Sequence, residues 1–161
     1  MWMGLSKPIR PSEKRFMSNA FAVIDASLVM KALLPNPETT RCQAVLAHLQ
    51  DAQLAVPALW VYEVTSTLAK AVHFKHITVE ESKTALHQAL ELDVQIIAPD
   101  ETQSSLALDW TLRLKRASAY DSFYLAIAEA LEVPFWTADQ RLINAFQDLK
   151  PTWLHWIGEM A

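Results

Sequence analysis

Short apolar runs alternate with longer amphipathic stretches along most of the chain. The length and boundaries of the apolar runs predict strands, of which the first and fourth are expected to be buried. They lie at 21–25 (FAVID), 54–56 (LAV), 94–98 (VQIIA), 133–137 (VPFWT) and near 152–155. Between them, apolar residues recur three or four positions apart, which predicts helices. These cover about 39–49, 57–74, 79–91, 101–116 and 120–131, and a further helix starts at Asp139.

Strands that alternate with helices predict a parallel sheet with helices on both faces and right-handed crossovers. The expected fold class is α/β, a single-domain α/β/α sandwich with a mostly parallel central sheet. A chain of 161 residues, 52% of them hydrophobic, is large enough for one such domain. No apolar run approaches the roughly 18 residues of a membrane span, and the N-terminus lacks the apolar segment of a signal peptide, so we expect a cytoplasmic protein.

The formal charge of −4 is unevenly distributed. Residues 1–19 contain four basic residues and one acidic residue, a sum of +3, which leaves −7 for residues 20–161. We therefore predict a basic, flexible leader over 1–19 and a folded domain over 20–161, with Met17 as an alternative start. An acidic domain binds polyanions poorly, so any action on nucleic acid requires metal ions to mask its carboxylates, or local and weak binding.

Three acids follow strands or begin helices. Asp25 closes the first predicted strand, Asp139 stands just past the fourth, and Asp121 lies near the start of the helix at 120–131. Ligands of open parallel sheets collect at the carboxyl ends of the strands, where Asp25 and Asp139 are expected. The sheet therefore predicts an acidic site at this edge.

Helix capping is the competing explanation for each of these acids. Asp25 can cap a helix that starts at Ala26, and capping-box patterns occur at 118–121 (S-x-x-D) and 137–140 (T-x-x-Q). Asp100 follows a strand in the same way, and we interpret it as a cap with Gln103 three residues on. Taken singly, each of the other three acids fits either role.

Glu63 is harder to explain by local structure. It lies within WVYEV on a helix that packs into the core, with no basic residue before Lys70. An unpaired buried carboxylate is costly or protonated. Two carboxylates about 4 Å apart repel by roughly 4 kcal/mol at an effective dielectric near 20, so an acidic cluster persists only with cations. Glu63 therefore favours a metal site over simple capping.

Four segments together resemble the motifs of PIN-domain ribonucleases, most closely the VapC-type toxins of toxin–antitoxin pairs. The segments are VIDAS (23–27), VPALWVYEV (56–64), SAYDSFYLAIAEAL (118–131) and FWTADQRL (135–142). The resemblance covers about residues 21–157. It implies an acidic quartet and two supporting hydroxyls: Asp25, Glu63, Asp121 and Asp139, with Ser27 and Thr137.

The resemblance also implies the activity and the partners. Oxygen ligands favour Mg²⁺ or Mn²⁺, with Asp25 and Asp139 on the metal, Asp121 on it or supporting it, and Glu63 positioning the metal or the attacking water. Ser27 and Thr137 would orient these ligands. RNA is the expected substrate, a VapB-like antitoxin whose tail covers the acidic pocket is the expected partner, and a homodimer is the expected assembly.

Two other interpretations stay open at this point. In the first, the same PIN-like fold is a non-catalytic module that binds protein or RNA, and the acids only cap helices. The second is a receiver- or phosphatase-type phosphoryl-transfer pocket, which is disfavoured because VIDAS lacks a second aspartate and no lysine follows a late strand. Tyr62, Tyr120 and Tyr124, with Arg141, are candidates to stack on RNA or hydrogen-bond to it, but core packing is the favoured role for the tyrosines.

Overall fold

The computed structural model describes residues 21–160. The predicted leader over 1–19, including Met17, lies outside the described residues. Of the predicted domain, residues 20 and 161 also lie outside them.

Within this range the chain forms five strands and seven α-helices. The strands are β1 (Phe21–Ile24), β2 (Gln53–Pro57), β3 (Val94–Ile97), β4 (Phe135–Thr137) and β5 (Leu154–Trp156). The helices are α1 (Ala26–Leu33), α2 (Thr39–His48), α3 (Leu59–His73), α4 (Val79–Leu90), α5 (Glu101–Arg113), α6 (Tyr120–Leu131) and α7 (Gln140–Phe146). Two 3₁₀ helices, Gln147–Leu149 and Ile157–Glu159, flank the last strand. Among the described residues, no helix is both long and apolar enough to cross a membrane.

The strands form one parallel sheet in the order β3-β2-β1-β4-β5. From β1 the chain first builds outward through β2 to β3, and then returns to place β4 on the other side of β1. The order of the strands therefore reverses between β1 and β4. Such a switch point opens a crevice beyond the carboxyl ends of the two strands, which is where ligands bind in parallel α/β sheets.

Helices flank this sheet and pack in two groups. Helix α1 contacts α2, α3 and α4, whereas α5 packs along α6, which in turn contacts β1 and β2. Large side chains such as Trp60, Tyr124 and Phe135 are fully buried between these layers. The predicted α/β/α sandwich is confirmed.

Hydrogen bonds between α5 and α6 fix the start of α6. The hydroxyl oxygens of Thr111 and Ser122 are 2.8 Å apart and buried, and Trp110 Nε1 donates to Glu129 Oε2 at 2.7 Å. Because buried polar groups are costly to leave unpaired, these bonds specify how the two helices align. The alignment matters because α6 begins one residue before Asp121.

Local patterns predicted some helix ends correctly and others wrongly. Asp100 does cap α5, since its Oδ1 accepts from Gln103 N at 2.7 Å. Asp25 caps α1. In the sequence, a helix starting at Ala26 was one of two explanations for an acid at position 25. The capping box predicted at 118–121 is wrong, because α6 begins after Ala119 with no side-chain cap.

Candidate active site

All four predicted acids line one cavity of about 720 Å³. They come from four separate parts of the fold: the end of β1, the second turn of α3, the first turn of α6 and the segment after β4. Asp25 and Asp139 follow the two strands at which the strand order reverses. The cavity therefore occupies the crevice that the sheet topology creates.

Asp25 is buried and tightly held. Its Oδ1 accepts hydrogen bonds from Leu28 N at 2.9 Å and from Ser27 Oγ at 2.7 Å, and its Oδ2 accepts from Thr137 Oγ1. The first bond caps α1, while the bond from Thr137 joins the ends of β1 and β4. The predicted supporting hydroxyls, Ser27 and Thr137, thus both contact Asp25.

Asp139 caps α7 itself. Its Oδ1 accepts from Arg141 N at 2.8 Å and from Leu142 N at 3.3 Å. The capping box predicted at 137–140 is therefore wrong, because Thr137 belongs to β4 and its hydroxyl is committed to Asp25. Thr137 Oγ1 also accepts a hydrogen bond from Asp139 N at 2.9 Å. One hydroxyl therefore connects the two aspartates that follow adjacent strands.

Glu63 is half-buried on α3 and is paired with a tyrosine. Tyr124 is buried on α6, its ring stacks on Phe135 at a centroid distance of 5.7 Å, and its hydroxyl donates to Glu63 Oε2. The flanking residues Trp60 and Val64 are buried. The core thus holds Glu63 at the cavity wall.

Asp121 forms an ion pair with Arg116, whose Nη2 lies 2.7 Å from Asp121 Oδ2. A tight turn creates this pair. Lys115 takes a left-handed conformation with φ 52°, and Arg116 N bonds back to Thr111 O at 3.0 Å. Such a turn ends a helix and reverses the chain, here bringing Arg116 against the start of α6.

The surroundings raise the pKa values of three of these acids. Burial is the main cause in each case: it raises the pKa of Asp25 from 3.8 to about 6, that of Glu63 from 4.5 to about 7, and that of Asp121 above its usual value. Hydrogen bonds to Asp25 and Glu63, and the charge of Arg116 beside Asp121, act in the opposite direction.

Repulsion among the four carboxylates adds to these shifts. Asp139 raises the pKa of both Asp25 and Asp121, and Asp121 and Asp25 both raise that of Glu63. The repulsion thus links the four acids in a closed ring. Such mutual repulsion in a partly buried cavity favours the binding of a cation.

The donor set fits a hard divalent cation, because carboxylate oxygens are the ligands that Mg²⁺ and Mn²⁺ prefer. Within residues 21–160, Glu63, Asp121 and Asp139 each have one carboxylate oxygen with no hydrogen-bond partner. In the same range, no three His, Cys, Asp or Glu side chains stand together as ligands of one ion. The four carboxylates thus line one cavity without three of them converging on a single ion position.

Sequence patterns missed several side chains of this site. Arg116 was predicted only as the end of a helix, but it pairs with Asp121. Lys31 lines the cavity from α1, and its Nζ donates to Ala138 O at 3.0 Å. No local pattern indicates either contact. Core packing was the favoured role of the tyrosines, but it holds only for Tyr124, since Tyr62 and Tyr120 are exposed at the cavity.

Comparisons with known proteins place this chain in a family. The sequence model of the PIN domain matches residues 23–150. The ribonuclease VapC1 of Mycobacterium tuberculosis is 32% identical over 125 residues, which cover 76% of this chain and 89% of that protein. The chain belongs to the PIN-domain family, and VapC ribonucleases are its relatives within that family.

Solved structures support the same fold. VapBC2 from Rickettsia felis, bound to a DNA fragment from its promoter, aligns with a TM-score of 0.61 at 13% identity and covers 84% of this chain and 98% of that one. A toxin–antitoxin complex from Klebsiella pneumoniae aligns with a TM-score of 0.57 at 14% identity, covering 83% and 95%. At these identities the likeness concerns the fold.

Proposed function

We propose that the protein is a metal-dependent endoribonuclease and the toxin of a type II toxin–antitoxin pair. The observation that carries this proposal is the meeting of four carboxylates from distant parts of a PIN-domain chain around one cavity at the switch point of the sheet. Kinship with a VapC ribonuclease supports RNA as the substrate.

In this proposal each carboxylate has a distinct task. Asp25 and Asp139 would hold Mg²⁺ or Mn²⁺, with Asp121 as a further ligand or support. When bound, these ions polarise a phosphodiester, activate water and stabilise charge on the leaving oxygen. Ser27 and Thr137 hold the carboxylate of Asp25 in one orientation.

Glu63 is the proposed partner of the attacking water. Tyr124 occupies its Oε2, and Oε1 has no partner within residues 21–160. In the metal-free cavity, burial raises the pKa of Glu63 to about 7. The free Oε1 is the atom that would accept a proton from the attacking water. Tyr124 thereby orients the group that would receive the proton.

The partners follow from the same family. We propose a VapB-like antitoxin whose tail covers the acidic cavity with an Arg or Lys, and the Arg116–Asp121 pair supports the idea that this site accepts a guanidinium.

We also propose a homodimer. Leu108 and Leu112 on α5, 54% and 66% exposed, are apolar surface that a second copy would cover.

Expression in a bacterial host tests this function. We expect induction of the chain to arrest growth and to create new 5′ ends at defined positions in total RNA. Co-expression of the small protein encoded beside it should suppress both effects. Healthy growth and intact RNA despite abundant folded protein would contradict the proposal and favour a non-catalytic module.

The Arg116–Asp121 pair leads to a separate prediction about metal affinity. A bound ion must compete with the guanidinium of Arg116 for Asp121. Arg116→Gln is therefore expected to strengthen Mn²⁺ binding by about fivefold, which corresponds to the free energy of a partly exposed ion pair. Titration calorimetry without RNA measures this. Arg113→Gln is the control, because it also removes one positive charge. The Cζ of Arg113 lies 5.1 Å from the centroid of the Trp110 ring on α5, so this variant should leave the Mn²⁺ affinity unchanged. Equal or weaker binding by the Arg116 variant would show that the pair does not oppose the metal.

A further inference from the structure

Two tyrosines at the acidic cavity are exposed to an unusual degree. Tyr62 is 75% exposed and Tyr120 is 67% exposed, and both residues line the cavity together with the four carboxylates. Each directly precedes an acid of the site, Tyr62 before Glu63 on α3 and Tyr120 before Asp121 on α6. The two rings therefore border the carboxylates on two separate helices.

Neither ring has a structural task in the described part of the chain. Tyr62 and Tyr120 make no ring contact with another aromatic residue there, and no hydrogen bond holds either hydroxyl. Tyr124 is the contrast, because it is buried, stacked on Phe135 and bonded to Glu63. Tyr62 and Tyr120 thus keep large flat apolar surfaces free beside the proposed reaction centre.

The charge of the domain limits what these rings can bind. Residues 20–161 carry a net charge of −7, so general attraction to phosphates gives little affinity for RNA. Stacking of a nucleobase on an aromatic ring does not depend on net charge. It does require an unpaired base, since the bases of a duplex are already stacked inside it.

On the basis of the ribonuclease function proposed above, we infer that Tyr62 and Tyr120 form a stacking site for unpaired nucleobases of the RNA strand that is cut. The rings hold the strand by its bases, which places its phosphodiester beside the carboxylates. The enzyme then acts where bases are splayed out and discriminates against paired RNA. The dimer surface proposed on α5 is separate, because Leu108 and Leu112 do not line this cavity.

Binding measurements in the Asp25→Asn background, where cleavage is expected to be lost, test the inference. The probes are a fluorescein-labelled short single-stranded RNA, its duplex, and a sugar–phosphate strand of the same length without bases. We expect Tyr62→Ala with Tyr120→Ala to weaken binding of the single strand by at least about fivefold and to leave binding of the duplex and of the base-free strand unaffected. The matched variant Tyr62→Phe with Tyr120→Phe keeps both rings and should bind like the reference.

Several results would overturn the inference. Unchanged binding of the single strand by the double alanine variant is one, and an equal loss for the base-free strand is another. A shift from dimer to monomer in sedimentation, or lost affinity for the antitoxin, each with RNA binding intact, would assign the tyrosines to a protein interface. Because both side chains are exposed, the alanine variant should melt like the reference.

Kinetics with Asp25 restored separate this inference from the proposed function. We expect the double alanine variant to cleave RNA with KM raised at least about fivefold and kcat largely retained. Equal KM values for variant and wild type would refute the stacking site while leaving the ribonuclease function standing. A wild-type protein that cuts no RNA with Mn²⁺ would refute both.

Discussion

Replacing Asp25 with Asn is expected to reduce metal-dependent RNA cleavage by at least about 100-fold while the protein stays folded. Asn keeps an oxygen that can accept from Leu28 N and Ser27 Oγ, so the cap of α1 survives. It removes the negative charge that a divalent cation needs. Cleavage of labelled RNA with Mn²⁺, beside circular dichroism of the same samples, measures activity and folding together.

Asp100→Asn is the matched control for this experiment. Asp100 also follows a strand and caps a helix, but it does not line the cavity. Since Asn is as good a cap as Asp, the unfolding free energy should change by less than about 1 kcal/mol and the cleavage rate should be unaffected. If Asp25→Asn cleaved at the wild-type rate, the assignment of the active site would be wrong. Equal losses in both variants would indicate a folding defect instead.

In the absence of divalent metal, the protein is expected to lose stability as the pH rises from about 4 to about 7. The pKa of Asp25 is raised from 3.8 to about 6 and that of Glu63 from 4.5 to about 7. Within this window the folded protein retains protons that the unfolded chain has released, so raising the pH favours unfolding. For the buried Asp25 alone, the loss is about 3 kcal/mol.

Divalent cations should reverse this loss. Mn²⁺ binds the charged carboxylates, and at 100 times its dissociation constant a ligand stabilises the folded state by about 2.7 kcal/mol. For a chain of this size, that is a rise in Tm of about 5 °C or more. We expect the rise to be large at pH 8 and small at pH 5, where protons compete for the same oxygens.

Urea denaturation in EDTA and with Mn²⁺, at several pH values, measures both effects. Glu63→Gln serves as the control, because Gln still accepts the hydrogen bond of Tyr124 but does not titrate. This variant should show a shallower decline of stability with pH. Metal-free stability that increases between pH 5 and pH 8 would contradict the burial of these two carboxylates.

Local sequence patterns predicted most of the framework of the fold. Short apolar runs marked all five strands, because their length and boundaries are typical of strands. Burial did not follow in every case, since Gln95 and Ile96 of the edge strand β3 are exposed. The strand ends in turn located Asp25 and Asp139 as candidate site residues. Asp100, which also follows a strand, was correctly interpreted as a helix cap. Element ends were less accurate: α5 stops at Arg113, where a helix to residue 116 was expected, because the chain turns at Lys115.

One of the two capping-box patterns failed because its side chain has a distant partner. The motif at 137–140 predicts a cap by Thr137, yet its hydroxyl bonds to Asp25, which is 112 residues away in the chain. Because Thr137 bonds to Asp25 instead, Asp139 caps α7. A capping box describes only contacts between neighbours in sequence, so it cannot anticipate a bond between two strand ends.

The sequence by itself thus determined the α/β order, the strand-end position of Asp25 and the anomaly of Glu63, since hydrophobic periodicity and the cost of a buried charge are local properties. Only the tertiary structure decided which donor holds each carboxylate, that Arg116 pairs with Asp121, and that Tyr62 and Tyr120 are exposed while Tyr124 is buried. These features depend on distances between elements that are far apart in the chain. Those distances are set when α3, α6 and the ends of β1 and β4 pack around one cavity.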